Sequence, residues 1–352
     1  MLRAGVIGCG YWGPNLIRNF LENDATDVVQ IADLSPESLH IMQKRYPALE
    51  ITTAAEGLIA NPALDMVVIA TPVSMHFPLA RMALEEGKHV FLEKPMTASS
   101  REALELVELA ERKGLAIFVD HTFLFTGAVR KLKELVVSGE LGDIQYVDST
   151  RMNLGLYQHD VSVIWDIGPH DVSILNYLCA AEPEHVSSVA MSHLDTQYDI
   201  AYVLLRYGSL LAHLTLSWLA PVKVRQILIG GTKKMVVYDD LENIAKVKVY
   251  DCGAQVARTD VKEVRSMLVS YRRGDMYAPR LDNTEALKVE VDYIVKCLET
   301  GERDPVNGGR AGLAVVRAIE AAERSARAGG GFRGADTVGL AAEASHEARA
   351  GD

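Results

Sequence analysis

Cysteine is scarce in this chain and widely scattered. Cys9, Cys179, Cys252 and Cys297 form no C-x-x-C pair and no Cys/His cluster at zinc spacing. That argues against a disulfide framework and a structural metal site, and it leaves four reduced thiols, as in a cytoplasmic protein. No apolar run approaches the roughly 20 residues needed to span a bilayer. The N-terminus enters a strand within a few residues, without the charged and then apolar order of a secretion leader, so neither a membrane nor an export route is expected. Basic stripes are also missing. Lys and Arg number 36 against 47 Asp and Glu, for a formal charge of −11, and nowhere gather as a phosphate backbone would require. Nucleic acid is not an expected partner. The acidic balance would suit a cationic ligand better than a polyanion. No internal repeat is visible.

The composition itself, 49% hydrophobic and 24% charged, is that of a globular protein. At 352 residues the chain exceeds the size at which one core stops growing, roughly 250 to 300 residues, which predicts two domains. The first third alternates apolar runs with amphipathic stretches, the pattern of βαβ units around a parallel sheet. Strands are expected over 2–7, 28–32, 65–70, 89–92 and 116–119, and helices over 15–22, 36–45, 75–86 and 101–113. After a helix at 128–137, β-rich runs dominate from 144 to about 250, joined by short turns such as Gly230-Gly231-Thr232. One helix, at 169–178, interrupts them. Two helices follow, at 284–298 and 310–327. The expected fold class is thus α/β: a dinucleotide-binding domain over 1–121, then an α+β domain with an open, largely antiparallel sheet over 122–328. A Gly/Ala-rich tail at 329–352 is of the kind more often mobile than folded.

Gly8-x-Gly10-x-x-Gly13 stands between the first strand and the first helix, with Pro14 just inside the helix and Asp33 closing the second strand about 20 residues on. Alone, the glycine spacing also fits any strand-to-helix turn. In this context the glycines permit a tight turn and close approach to a pyrophosphate, whose charge the helix N-terminus meets. Asp33 would accept from the ribose hydroxyls and repel a 2′-phosphate, and Leu34-Ser35 supply no arginine to offset it, so NAD is favoured over NADP.

Glu93-Lys94-Pro95 follows the strand at 89–92, at the carboxyl edge where α/β sheets place ligands. Lys94 there could hold a substrate hydroxyl, or be a plain surface lysine. In Trp165-Asp166-Ile167-Gly168-Pro169-His170-Asp171, Gly168-Pro169 reads as a helix entry. His170 would lie in the first turn, kept neutral by the helix dipole, with Asp166 orienting it or binding substrate. A capping Asp and a core His read the same segment equally well.

Taken together and in this order, the glycine motif, Glu93-Lys94-Pro95 and Asp166-x-x-x-His170 resemble the Gfo/Idh/MocA oxidoreductase family over nearly the whole chain to about residue 328. The Tyr11-Trp12-Gly13-Pro14-Asn15 and His121-Thr122-Phe123-Leu124 stretches are similar to a branch acting on sugars, cyclitols, aminoglycosides or sugar nucleotides. The resemblance implies a catalytic triad of Lys94, Asp166 and His170. It implies a dinucleotide cleft that also takes in Tyr11, Trp12, Leu34, Thr71, Pro72, His76 and Glu93, and substrate contacts from His121, Arg151, Asn153 and Tyr157. It implies NAD-dependent oxidation of a ring alcohol, no metal, and a homodimer or homotetramer built on the open sheet. Reduction of a 3-keto nucleotide sugar would use the same residues but prefer NADPH, against Asp33. A dinucleotide-sensing regulator would keep the glycines without needing Lys94 and His170 together. A nucleotide sugar would require local cations, for which Arg151, Arg225, Arg272, Arg273 and Arg280 stand unassigned.

Overall fold

The computed structural model describes residues 1–154, 157, 159–256, 269–302, 305–331 and 333–334. In the first third the apolar runs become six parallel strands: β1 (Leu2–Ile7), β2 (Thr26–Ala32), β3 (Glu50–Thr52), β4 (Met66–Ile69), β5 (His89–Leu92) and β6 (Ile117–Val119). β4 and β6 are buried at every position, because helices cover both faces of the sheet and leave no side for polar residues. Those helices are α1 (Gly13–Leu21), α2 (Pro36–Arg45), α3 (Ala55–Ile59), α4 (His76–Glu85) and α5 (Ser100–Lys113). Their ends are written locally. Ser35 and Ser99 accept backbone N–H bonds at the starts of α2 and α5, and Gly114 closes α5 in the left-handed region. The strands lie in the order β3-β2-β1-β4-β5-β6, so the direction of winding reverses between β1 and β4. A crevice opens at such a point, outside the carboxyl ends of the strands.

The second sheet has nine strands among the described residues. After α6 (Gly127–Val137) come β7 (Ile144–Leu154), α7 (Val163–Cys179), β8 (His185–Met191), β9 (Ile200–Tyr207) and β10 (Leu210–Ser217). β11 (Leu219–Gly231), β12 (Met235–Asp239), β13 (Val247–Val256) and β14 (Val269–Tyr277) complete the main run, and α8 (Ala286–Thr300), α9 (Gly309–Arg327) and β15 (Arg333–Gly334) follow. The order is β14-β13-β12-β11-β7-β10-β9-β8-β15, with β7–β10 the one parallel pairing of this sheet among the described residues. Alternation along β9 and β10 buries Ala201, Val203, Leu205, Ala212 and Leu214 beneath α7 and α9. The opposite face carries exposed Val189, Met191, Tyr202 and Leu211. Of the Gly/Ala-rich tail, β15 pairs with β8, and residues 335–352 lie outside the described residues.

The reading of α7 needs revision. The helix expected from Pro169 begins at Val163, so Pro169 sits inside it and His170 lies two turns in. Val163 and Ile164 are buried in the second-domain core, and that burial extends the helix upstream of the proline that looked like its start. The first-turn charge is Asp166, which the positive helix end favours, so the dipole reaches Asp166 and does not account for a neutral His170. The last two helices also join the two domains. Leu287, Val291, Ile294 and Cys297 of α8 pack on Phe20, Phe91 and Phe118 of the first domain, and α9 contributes to both cores. Finally, β3, α3, β8 and β14 had no clear apolar signal. In β8, Ser188 is buried because its hydroxyl donates to the Ala322 carbonyl of α9 at 2.6 Å, a partner invisible in sequence.

Candidate active site

Four of the parallel strands lead into the crevice: Gly8 follows β1, Thr71-Pro72 β4, Glu93-Lys94 β5 and Asp120-His121 β6. Gly8 has φ +100°, and a Cβ there would lie 2.4 Å from the Ala70 carbonyl oxygen. A Cβ on Gly13 would lie 2.0 Å from the Gly8 carbonyl oxygen, whereas one on Gly10 would meet nothing within 4 Å. Two glycines therefore make the turn, and the third leaves open space over it, in front of the first N–H groups of α1. Asp33 closes this loop from the end of β2. Its carboxylate accepts from the Cys9 N–H at 2.6 Å and the Ser35 N–H at 2.7 Å. Tyr11 and Leu34 beside it are almost fully exposed. This shape and donor set fit a dinucleotide. Cys9 itself is inert, its thiol pushed up to about 12 by burial and then by Asp33.

Trp12 serves the loop in a different way. Its indole N–H donates to Asp120 at 2.5 Å, and Asp120 also takes the Thr122 hydroxyl and lies against Glu290 of α8. Burial drives both carboxyls upward, and their contact means that one of them holds a proton. Asn307 ties Glu290 to β6, donating to it at 2.9 Å and to the Val119 carbonyl at 3.2 Å. Glu93 is nearby and is pushed up to about 8, chiefly by burial against the opposing pull of Lys94. It therefore holds its proton well above the usual carboxyl range. His76 stands behind the cleft instead of lining it. It is 1% exposed, and its ring nitrogens lie 2.9 Å from the carbonyls of Pro95 and Thr71, so it braces one crevice loop against the other.

At the second end of the crevice, α7 places Asp166 and His170 one turn apart on one face, and Lys94 reaches across from the first domain. Its ammonium donates to the Asp166 carbonyl at 2.7 Å and to the Asp166 carboxylate at 3.3 Å. Trp218, following β10, donates its indole N–H to the other carboxylate oxygen at 3.0 Å. Asp166 is thus fixed from two sides. His170 is held well below the ordinary histidine range, first by burial and then by Lys94, Arg151 and Arg225, so the ring is neutral. His121 is pushed down to about 4 by burial and by Lys94.

Buried polar atoms without a hydrogen-bond partner among the described residues collect here. They include Thr71 Oγ1, Glu93 Oε2, both ring nitrogens of His121 and His170 Nδ1, and Asn153 Oδ1 on β7 is likewise unpartnered. Stable interiors pair such groups, so their gathering at one cleft marks a place where ligands supply the partners. Arg151, offered by the resemblance as a substrate contact, is engaged by the protein itself. It is buried, and its guanidinium grips Asp171, the residue after His170, through bonds of 2.9 to 3.2 Å. Tyr157 packs edge-on against Trp218 with ring centroids 5.0 Å apart. Trp218, Phe123 and the Asp120–Glu290 pair were not singled out from sequence. A tryptophan at a strand end was the one visible signal, and the carboxyl pair joins residues 170 positions apart.

Residues 2–121 match a family model described as an oxidoreductase family with an NAD-binding Rossmann fold, and residues 129–237 match the GFO/IDH/MocA C-terminal domain. A scyllo-inositol 2-dehydrogenase (NADP(+)) of Bacillus subtilis is 24% identical over 93% of this chain and 94% of its own length. A 1-carboxy-3-chloro-3,4-dihydroxycyclohexa-1,5-diene dehydrogenase of Comamonas testosteroni is 28% identical, and there the match spans about half of each protein, 53% of this chain and 50% of the other. Among solved structures, UDP-N-acetylglucosamine 3-dehydrogenase from Acidithiobacillus ferrooxidans superposes with a TM-score of 0.78 at 23% identity, covering 93% of this chain and 98% of that one. With both halves matched in order by its two family models, the chain belongs to the Gfo/Idh/MocA family of oxidoreductases.

Proposed function

We propose that this protein oxidises a secondary alcohol on a polyhydroxylated ring, a sugar, cyclitol or related glycoside, with NAD as the hydride acceptor. The observation that carries the reading is the meeting of Lys94, Asp166 and a neutral His170 at the crevice that begins with the glycine loop. When bound, the dinucleotide supplies the acceptor for the carbinol hydrogen. The glycine turn and the N-terminus of α1 would hold its pyrophosphate, and Asp33 the adenosine ribose. Asp33 also favours NAD over NADP, since its carboxylate would face a 2′-phosphate with no arginine beside it. His170, neutral and with Nδ1 unpartnered among the described residues, takes the hydroxyl proton as base. The Lys94 ammonium steadies the negative charge that develops on the oxygen, and Asp166 holds Lys94 in place. Protonated Glu93 can donate into the same cleft without adding a negative charge.

Reduced-nicotinamide absorbance, with NAD and a panel of free sugars, inositols, aminoglycosides and nucleotide sugars, tests the reading. Lys94→Ala and His170→Ala should each lose turnover by about three orders of magnitude or more while dinucleotide binding survives. Normal turnover in either variant would remove the residue from the mechanism. We further propose that two copies associate through the outer face of the second sheet, where Val189, Met191, Tyr202 and Leu211 are exposed. Light scattering of Tyr202→Glu against the parent tests this, with the monomeric mass expected for the variant.

A further inference from the structure

Arg151 on β7 and Arg225 on β11 are directly opposite partners in an antiparallel pair, on the face that looks toward α7. Like charges so placed are unfavourable unless something offsets them. Asp171 does so for Arg151. For Arg225 the offset is incomplete. Its one hydrogen bond from the guanidinium among the described residues goes to Asp240 at 3.4 Å, well beyond the usual length of a charge-assisted bond. The other oxygen of that carboxylate takes Lys246 at 3.1 Å and the Tyr238 hydroxyl at 3.1 Å, so the Asp240 charge is shared. Both guanidiniums lie over the ring of Phe123, at 4.5 Å for Arg151 and 5.6 Å for Arg225. The same ring is 5.0 Å from the ring of His170. Arg225 therefore stands within one aromatic side chain of the candidate base, and about a third of its side chain is open to solvent. Near His170, the carboxylates of Asp166 and Asp171 are spent on Lys94 and Arg151, whereas Asp240, 3.4 Å from Arg225, is shared with Lys246, so Arg225 is the least neutralised of the three cations inside a protein whose net charge is −11.

Resting on the reading that this cleft binds a ring alcohol, we infer that Arg225, backed by Arg151, is a subsite for an oxyanion carried on the substrate ring or one atom away from it. The substrate is then an acidic sugar or cyclitol, bearing a carboxylate or a phosphate, in place of the cationic one that bulk charge alone would suit. Phe123 gives the subsite its floor, and the guanidinium fork supplies two parallel donors to a carboxylate or phosphate. Local positive potential also draws such a substrate in against the acidic surface.

The test uses the full-length protein with NAD and matched pairs of substrates: glucuronate against glucose, galacturonate against galactose, and glucose 6-phosphate against glucose. The acidic member of a pair should show the higher kcat/KM, and Arg225→Gln should raise its KM about 10- to 100-fold, with Arg225→Lys recovering part of the loss. The carboxylate and phosphate arms tell which oxyanion is meant. Equal or better use of the neutral member, or an acid preference that survives Arg225→Gln, overturns the inference and leaves the dehydrogenase reading standing. If none of these compounds is oxidised, stabilisation against heat is read instead in the presence of NADH. A shift with glucuronate or glucose 6-phosphate that disappears in Arg225→Gln upholds the subsite while the proposed reaction fails. No shift with either anion overturns the subsite.

Discussion

Trp218→Phe is the most informative single change. Its indole N–H bonds one oxygen of the Asp166 carboxylate at 3.0 Å, and Lys94 approaches the other at 3.3 Å. A hydrogen bond to a charged group contributes about 1.5 to 3 kcal/mol. Asp166 keeps Lys94 and retains 22% exposure, so solvent replaces part of the loss and about 1 to 2 kcal/mol remains. If the carboxylate must be held still for Lys94 to act, kcat/KM falls about 5- to 30-fold. The ring itself is 2% exposed, so the smaller phenyl leaves a cavity worth about 1 kcal/mol of stability. Two readouts separate these effects: initial rates from reduced-nicotinamide absorbance, and the thermal midpoint. In an Asp166→Asn background the second substitution should cost less than about twofold in rate, because the two residues act as a unit. A Trp218→Phe enzyme with unchanged kcat/KM, or a full additive loss on top of Asp166→Asn, would refute the positioning role.

Gly10→Ala should leave the melting temperature of the free protein unchanged and weaken dinucleotide binding, since its Cβ meets no protein atom. Gly13→Ala should lower both, with a Cβ 2.0 Å from a backbone oxygen; equal behaviour of the two would contradict the cradle. Asp33→Ala should reduce NAD affinity and narrow the discrimination against NADP, measured by titrating each dinucleotide, with some loss from the freed Cys9 and Ser35 N–H groups. Stability of the free protein should peak near pH 4.5 to 6.5. Glu93, Asp120 and Glu290 have raised values, so the folded state holds protons that the unfolded chain releases above its ordinary carboxyl range, and stability is lost as pH rises through about 8 for Glu93. His76, His121 and His170 are lowered, so stability is lost again as pH falls below 6.5 toward about 4 for His121. A melting temperature that climbs between pH 6.5 and 8, or a Glu93→Gln variant with the same alkaline slope, would contradict this account.

The local features of the first domain were legible because short-range rules set them. β1, α2 and β5 run over the residues that periodicity and caps indicate, and Gly8, Gly13 and Asp33 occupy the turn that their spacing describes. Lys94, Asp166 and His170 were legible as candidates through motif order. α7 was misread because Pro169 is a strong local start signal that burial of Val163 and Ile164 overrides.

The sequence by itself determined the parallel first sheet, the dinucleotide turn and the residue types of the site, since these depend on neighbours a few positions apart. Only the tertiary structure decided what each of those residues does. It brought Lys94 to Asp166 across 72 positions, set Trp218 beside them, laid Arg225 over the ring that packs on His170, spent Arg151 on Asp171, and turned His76 into a brace. It also decided why His170 is neutral, because desolvation and the field of Lys94, Arg151 and Arg225 act through space and leave no periodic trace along the chain.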